Sequence, residues 1–208
     1  MTPVARMVML NLRTVAPYRC QCLAVFAVVV LLFVNRPVAL VPTLVLLFTA
    51  TMAAYPFNVG DKARLETLYA TLPLARRSVL FGHYGWALAC YLCTVIAGTA
   101  LALLLARLQS VPLGGRTLAA VLTLSWGTFA VNVAVQFPLF TRYGYTRVSV
   151  LSTVLPLAFL AMLVVRLHLS LASARSWLPW TWPVGAAMIV ASAAVAMTLD
   201  RRRVHPRL

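Results

Sequence analysis

The sequence is poor in acidic residues: it holds three Asp and Glu together in 208 residues, against 18 Lys and Arg. Charged residues of both signs make up only 10% of the chain, whereas a soluble globular domain carries about 25%. Hydrophobic residues make up 62%, which is more apolar surface than a soluble core of this length can hide. Because lipid can take the place of water around such a surface, the composition predicts an integral membrane protein.

Several motifs that carry chemistry are also missing. The sequence has no G-x-x-x-x-G-K-[ST] segment, so it lacks a phosphate-binding loop of that kind. No carboxylate falls inside an apolar segment, which disfavours proton- or sodium-coupled transport. His83 and His168 lie near the ends of apolar segments and are interpreted as interfacial or hydrogen-bonded histidines. No nucleophile and base share a motif. We therefore expect no catalytic residue, metal site or cofactor in this chain.

The basic residues are spread along the chain. A formal net charge of +15 would indicate a nucleic-acid partner in a soluble protein. Here, however, Lys and Arg alternate with apolar segments and do not form one patch. They are typical of topology signals and of contacts to anionic lipid head groups, and we expect no nucleic acid to bind. Cys90 and Cys93 have metal-like spacing but no nearby His or carboxylate, so packing is the simpler interpretation.

The apolar residues fall into six segments. A helix needs about 20 apolar residues to cross the hydrocarbon core. The chain is predicted to form a single membrane domain over 1–208, with spans at 21–34, 38–57, 78–105, 118–137, 148–165 and 183–199.

The orientation follows from the positive-inside rule. Thirteen of the 18 Lys and Arg residues fall on the side that holds both termini, the loop after the second span and the turn after the fourth. The sequence therefore predicts an even number of spans with both termini in the cytoplasm. Tyr143 and Tyr145 fall at the predicted inner interface, and Trp177, Trp180 and Trp182 at the outer one.

Two sets of residues inside the spans suggest helix packing. Ala187, Ala191 and Ala194 are small residues at the three- and four-residue spacing that lets membrane helices approach closely. Ser125 and Asn132 can either form hydrogen bonds between helices or line a path. The sequence does not separate these two roles.

The segment 61–73 after the second span is a candidate amphipathic helix. Asp61 or Asn58 can cap its start, and Pro73 stops it before Arg76 and Arg77 mark the membrane surface. Its apolar stripe at i, i+3, i+4 and i+7 consists of Leu65, Leu68, Tyr69 and Leu72. Such a helix can lie on lipid or dock in a groove of a partner protein, and both interpretations stay open on physical grounds.

Three short segments resemble those of a known family. The segment 57–66 and then 72–80, with its Leu-Pro-x-x-Arg turn, is similar to the first cytoplasmic loop of small six-span permease subunits of ABC-type-2 (ATP-binding cassette) exporters. The segment 136–145, with Pro138, Arg142, Tyr143 and Gly144, resembles their second cytoplasmic turn. The order of spans and the chain length are similar too.

The resemblance implies an all-α fold of six transmembrane helices with a coupling helix after the second span. It also implies an N-terminal interfacial helix within 1–19, here over 2–15 with Val4, Met7 and Val8 on one face. Two permease subunits, identical or different, would pair, and each would dock a separate ATPase that binds ATP and Mg²⁺. The residues implied for ATPase coupling are Asp61, Lys62, Arg64, Leu65, Glu66, Leu68, Tyr69, Leu72, Pro73, Arg76 and Arg77. A lesser second contact is implied for Arg142, Tyr143, Gly144 and Arg147.

The resulting expectation is a permease in the bacterial cytoplasmic membrane. It would move a hydrophobic or amphipathic substrate outward by alternating access. Two alternatives stay open: a membrane scaffold or immunity-type factor that transports nothing, and a secondary transporter. The absence of an intramembrane carboxylate ranks the secondary transporter last.

Overall fold

A computed structural model describes residues 3–62, 76–110, 113–148 and 178–204 and the single positions 150, 154 and 158. Within these ranges the regular structure is helical and contains no strand, which confirms the predicted all-α class. The helices are α1 (Pro3–Val15), α2 (Arg19–Phe33), α3 (Pro37–Leu44), α4 (Ala50–Lys62), α5 (Arg76–Leu108), α6 (Gly115–Tyr143) and α7 (Leu178–Val204).

Four described helical segments are long and apolar enough to cross a membrane: Pro37–Lys62, Arg77–Leu108, Gly115–Tyr143 and Pro179–Leu199. A fifth is added if Arg6–Tyr18 and Cys20–Phe33, which meet at 77°, count as one broken span. The four segments match the predictions at 38–57, 78–105, 118–137 and 183–199, and α2 covers the prediction at 21–34. The predicted span at 148–165 lies largely outside the described residues, so the count of six remains a prediction.

The second predicted span is the most buried helix and is not regular. A π-helical turn, Val45–Thr49, joins α3 to α4, and Pro42 and Pro56 lie inside the two helices. A proline removes one helical hydrogen bond, and an extra residue in a π turn widens the helix locally. Buried side chains of α3 and the turn, such as Leu40, Leu44 and Val45, are at most 1% exposed.

This helix continues to Lys62, five residues beyond the predicted end at 57. Asn58 and Asp61 therefore both lie inside α4, so neither of the two proposed caps begins a new helix. Residues 50–62 form one helical run although Pro56 and Gly60 both lie inside it.

The main core lies where α4, α5, α6 and α7 meet. Tyr91 stacks on Phe129 with ring centroids 4.5 Å apart, and Tyr84 packs edge-on against Phe137 at 4.8 Å. The Tyr84 hydroxyl and the Ser192 Oγ are 2.8 Å apart and form a buried hydrogen bond between α5 and α7. Aromatic pairs of this kind stabilise a fold by more than the apolar area they bury, so they favour one register of the helices.

The contact between α7 and α6 uses a different face of α7 from the one predicted. Gly185, Ser192, Ala193 and Ala196 are buried, whereas the predicted packing residues Ala187, Ala191 and Ala194 are exposed. The reason lies next to Gly185, where the Trp126 indole occupies the space that a side chain would fill. This large ring sets the rotation of α7 and turns the three alanines away from the bundle.

At the end of the bundle that the sequence predicts to face outward, aromatic and polar side chains contact one another. Trp182 stacks on Trp126 at 5.3 Å and donates a hydrogen bond to Thr123 Oγ1 over 3.2 Å. Gln109 Nε2 donates to the Val34 carbonyl oxygen over 2.7 Å. Trp180 is exposed, and Trp177 lies outside the described residues.

The polar residues Ser125 and Asn132 are both buried in α6. The Ser125 hydroxyl donates a hydrogen bond to the Val121 carbonyl oxygen over 2.7 Å. Its proton is therefore used within its own helix and does not link two helices. Asn132 Oδ1 is buried without a hydrogen-bond partner in the described part of the chain.

Candidate functional site at the Asp61 end of the bundle

The residues that the sequence proposes for ATPase coupling divide into two groups. The first group lies at the end of α4, at the start of α5, and at or just after the end of α6: Asp61, Lys62, Arg76, Arg77, Arg142, Tyr143, Gly144 and Arg147. The second group falls in 63–75, outside the described residues: Arg64, Leu65, Glu66, Leu68, Tyr69, Leu72 and Pro73. The predicted coupling helix itself therefore stays a prediction, and the described site consists of its two ends and the second turn.

Asp61 joins the end of α4 to the turn after α6. Its Oδ2 accepts a hydrogen bond from the Thr146 backbone N–H over 2.9 Å and one from the Thr146 hydroxyl over 3.2 Å. Thr146 lies at the start of a short helical stretch, 145–148, where backbone N–H groups lack helical partners. A carboxylate satisfies such a donor through a charge-assisted bond, which is stronger than a neutral one. The end of the second span is thus tied to the turn after α6.

Gly144 makes this approach possible. Its backbone has φ 79° and ψ 156°, a region that is essentially restricted to glycine. A Cβ atom placed there would lie 3.1 Å from Asp61 Oδ2. The Gly144 N–H also donates to the Phe140 carbonyl oxygen over 2.9 Å and closes the last turn of α6. The predicted Tyr-Gly turn therefore ends one helix and leaves room for the carboxylate.

An aromatic cluster lies beside this contact. The Phe57 ring from α4 contacts the rings of Phe137 and Phe140 from α6, at 5.1 and 5.3 Å between centroids. Tyr145 packs on Phe140 at 5.3 Å, and the His83 ring of α5 lies 4.5 Å from Phe57. The rings connect the three helices at this end of the bundle, so the Asp61 contact rests on a packed support.

Helix α1 covers the start of α5. Met7 packs over Gly82, and Asn11 Nδ2 lies 3.5 Å from the Gly82 carbonyl oxygen and 3.4 Å from His83 Nδ1. Met7 is buried against the bundle and Val8 is partly buried beside it, whereas the side chain of Val4 lies outside what is described. His83 is half-buried between Asn11 and Phe57. This matches its interpretation as a hydrogen-bonded histidine.

Sequence reasoning missed Asn11 and Thr146. Asn11 follows Met7 by four residues and precedes Val15 by four, so it lies on the buried stripe of α1. A polar residue on such a stripe is a signal that a polar partner lies opposite. Thr146 comes two residues after Gly144, and nothing in its local sequence identifies Asp61 as its partner.

The surface of this end is basic. Lys62, Arg77 and Arg147 are exposed, and the Arg142 guanidinium lies 5.2 Å from the centroid of the Tyr143 ring. Among the described residues no group of three or more His, Cys, Asp or Glu side chains is placed to hold a metal ion. The arrangement brings two loop segments into one basic surface that a partner can contact.

Comparison with known families gives one match. The sequence model of the family described as ABC-2 family transporter protein matches residues 7–199, which is most of the chain. No curated protein and no solved structure matches it.

Proposed function

Because the chain belongs to the ABC-2 family of transporter proteins, and is thereby a membrane-spanning permease subunit that works with a separate ATPase, we propose that it exports a hydrophobic or amphipathic substrate. The observation that carries the mechanism is the pair of hydrogen bonds from Thr146 to Asp61. It makes the two cytoplasmic segments one mechanical unit.

The route of the coupling starts at Lys62. The segment that resembles a coupling helix follows this residue directly, so a displacement of that segment acts on the end of α4. Asp61 passes the displacement to the turn at 144–146, and the Phe57 ring passes it to α6 through Phe137 and Phe140. The ATPase would contact the first segment mainly and the second turn as a lesser site, with Arg142 and Arg147 on the shared surface.

Alternating access then follows from differential binding. An ATPase dimer closed on ATP would prefer one arrangement of the inner end, and only such a preference can shift the equilibrium between the two membrane states. The second span runs from the inner end to the outer one with two thirds of its apolar window buried, so it is the helix best placed to transmit the change. ATP and Mg²⁺ would be held by the ATPase.

We also propose a partner permease subunit and an apolar substrate path. Helix α2 exposes large apolar side chains, of which Leu23, Leu31 and Leu32 are 66, 72 and 70% exposed. A second subunit or lipid would cover them. The spans of α5 and α7 are likewise largely uncovered, so a path beside them would suit an apolar substrate.

We propose that the inner end faces the bacterial cytoplasm with both termini. The charge bias supports this, because exposed basic residues collect at the Asp61 end. Reporter fusions at residues 2 and 208 and at the 109–114 turn test it. Cytoplasmic signals from both termini and an outer signal from the turn are expected, and the reverse pattern would reject the orientation.

The function is tested by capturing the tagged chain from its native membranes. An ATP-binding-cassette ATPase should copurify and hydrolyse ATP in a vanadate-sensitive way, and reconstituted vesicles should move a lipophilic dye against its gradient. Leu68→Asp combined with Tyr69→Asp should remove the ATPase from the complex. A complex without any ATPase, or vesicles whose transport depends on a proton gradient alone, would reject the proposal.

The Asp61 contact is tested in the same vesicles. Asp61→Ala, which removes both hydrogen bonds, should keep the ATPase bound but lower dye transport per ATP hydrolysed by several-fold. Thr146→Val, which keeps the backbone N–H donor, should lower it less. Asp200→Ala removes an equal charge elsewhere in the chain and serves as the control. A complex that hydrolyses ATP, and in which neither variant alters transport per ATP, would leave the permease assignment intact and remove the role given to Asp61.

A further inference from the structure

One face of helix α1 is buried against the bundle. Met7, Asn11 and Val15, four residues apart, are 5, 2 and 7% exposed. Met7 covers Gly82, and Val15 packs with Met52 and Trp86. This face leaves no room for another partner.

The two other faces of α1 are open and differ in character. Met9 and Leu12 are 45 and 52% exposed and lie beside each other on the open side of the helix. Arg6 and Arg13 are exposed and seven residues apart, so at about 100° per residue their side chains point within about 20° of each other. One open face is therefore apolar and the next one basic.

The bend after α1 places both faces at a membrane surface. The segment Arg6–Tyr18 meets Cys20–Phe33 at 77°. Because α2 is a predicted span, α1 lies almost parallel to the membrane plane. A helix in that position puts apolar side chains among acyl chains and basic ones at the level of the head groups.

We propose that the Arg6 and Arg13 face of α1 binds the phosphate groups of anionic phospholipids in the leaflet at this end. Guanidinium groups match phosphate oxygens in pairs, and no acidic residue occurs in 1–60 to compete for them. Of the three acidic residues only Asp61 has a described side chain, and its carboxylate accepts hydrogen bonds from Thr146. Each arginine near an anionic membrane strengthens binding about fivefold, so two together give a tenfold effect or more.

Bound lipid also has a structural consequence. Asn11 and Met7 connect α1 to the first turns of α5, close to His83. Anionic lipid bound to Arg6 and Arg13 therefore stabilises the contact between α1 and the start of α5. The inference does not depend on the ATPase or on transport, and its experiment uses neither.

The experiment measures lipid preference of the full chain. Wild type and Arg6→Gln/Arg13→Gln are placed in phosphatidylcholine nanodiscs with a titrated fraction of phosphatidylglycerol, and the lipid retained after mild extraction is counted by mass spectrometry. The preference for phosphatidylglycerol should fall tenfold or more in the variant. Arg36→Gln/Arg116→Gln, which removes two exposed arginines from the opposite end, should keep it. Equal preference in wild type and the first variant, or an equal loss in the control, would overturn the proposal.

Two further measurements leave the charge of α1 unchanged. Arg6→Lys/Arg13→Lys should retain most of the preference, and the wild-type preference should weaken as salt rises from about 50 to about 500 mM, since screening shortens the range of the interaction. Inorganic phosphate at about 10 mM should not displace the lipid. A preference that ignores salt, or displacement by free phosphate, would contradict binding of a membrane lipid at this face.

Discussion

Trp86 donates a hydrogen bond from its indole N–H to the Met52 carbonyl oxygen, over 3.0 Å in a buried position. Met52 lies four residues before Pro56, which has no N–H to offer it. The tryptophan of α5 thus satisfies a carbonyl of α4 that the helix itself leaves without its usual donor. In a membrane this matters, because no water is present to take that role.

Trp86→Phe should therefore destabilise the protein by about 1–2 kcal/mol, since it leaves that carbonyl buried and unpaired. Pro56→Ala restores the helical N–H. In the Pro56→Ala background, Trp86→Phe should therefore lower the free energy of unfolding by measurably less. Unfolding followed by detergent titration gives the four values of this double-mutant cycle. Trp180→Phe, at an exposed ring, is the control. Equal costs in both backgrounds would show that the indole serves by packing alone.

Gly144→Ala should lower the free energy of unfolding by about 1–3 kcal/mol, because its backbone conformation is essentially closed to other residues. The new methyl group would also crowd the Asp61 carboxylate. Gly60→Ala, one residue before Asp61, meets no atom within 4 Å and lies in a helix, so it should be neutral or stabilising. Thermal unfolding of both variants makes the comparison. Similar midpoints for the two would refute the strain assigned to Gly144.

Gly185→Ala should disturb the contact between α6 and α7. A Cβ atom at this position would lie 2.6 Å from Trp126 Nε1 and 3.1 Å from Ala130 Cβ. Crowding of this kind costs about 1–3 kcal/mol. Gly127→Ala meets only the Thr181 methyl group at 3.4 Å and should be tolerated. Tryptophan fluorescence during unfolding includes the signal of the Trp126–Trp182 stack, and an unshifted transition in Gly185→Ala would contradict this packing.

Gly82→Ala should release α1 from α5. The added methyl group would overlap Met7, whose Cβ is 2.6 Å from the position. We expect the backbone amides of α1 to exchange hydrogen at least about tenfold faster, since local opening then costs less. Gly98→Ala on the same helix meets a flexible Leu44 methyl group at 3.2 Å and should leave exchange in α1 unchanged. Slow exchange in the Gly82 variant would mean that α1 is held by other contacts.

The broad architecture was predictable because lipid imposes it. The length of apolar segments identified each candidate span that the structure describes, and the resemblance of segments 57–66 and 136–145 to permease loops marked Asp61 and Gly144 as residues of interest. The rotation of each helix was not predictable. Ala187, Ala191 and Ala194 matched a packing pattern, yet the Trp126 ring decides which face of α7 meets α6.

Contacts between distant residues were the other missing part. Thr146 and Asp61 are 85 positions apart, and Asn11 and His83 are 72 apart. A periodic pattern reports on one helix at a time, so it shows that Asn11 lies on a buried stripe but not what it faces. The hydrogen-bonding partner of a buried polar residue depends on the packing of whole helices.

The π turn at Val45–Thr49 determines where the far end of its helix points. One extra residue in a helix advances everything after it by about 100° of rotation. Asp61 therefore reaches Thr146 in a phase that the insertion sets, from more than three turns away. A chain shortened by a single residue within this turn would keep its composition, its hydropathy and its length across the bilayer. Its carboxylate, however, would point about a quarter turn away from the loop it now holds.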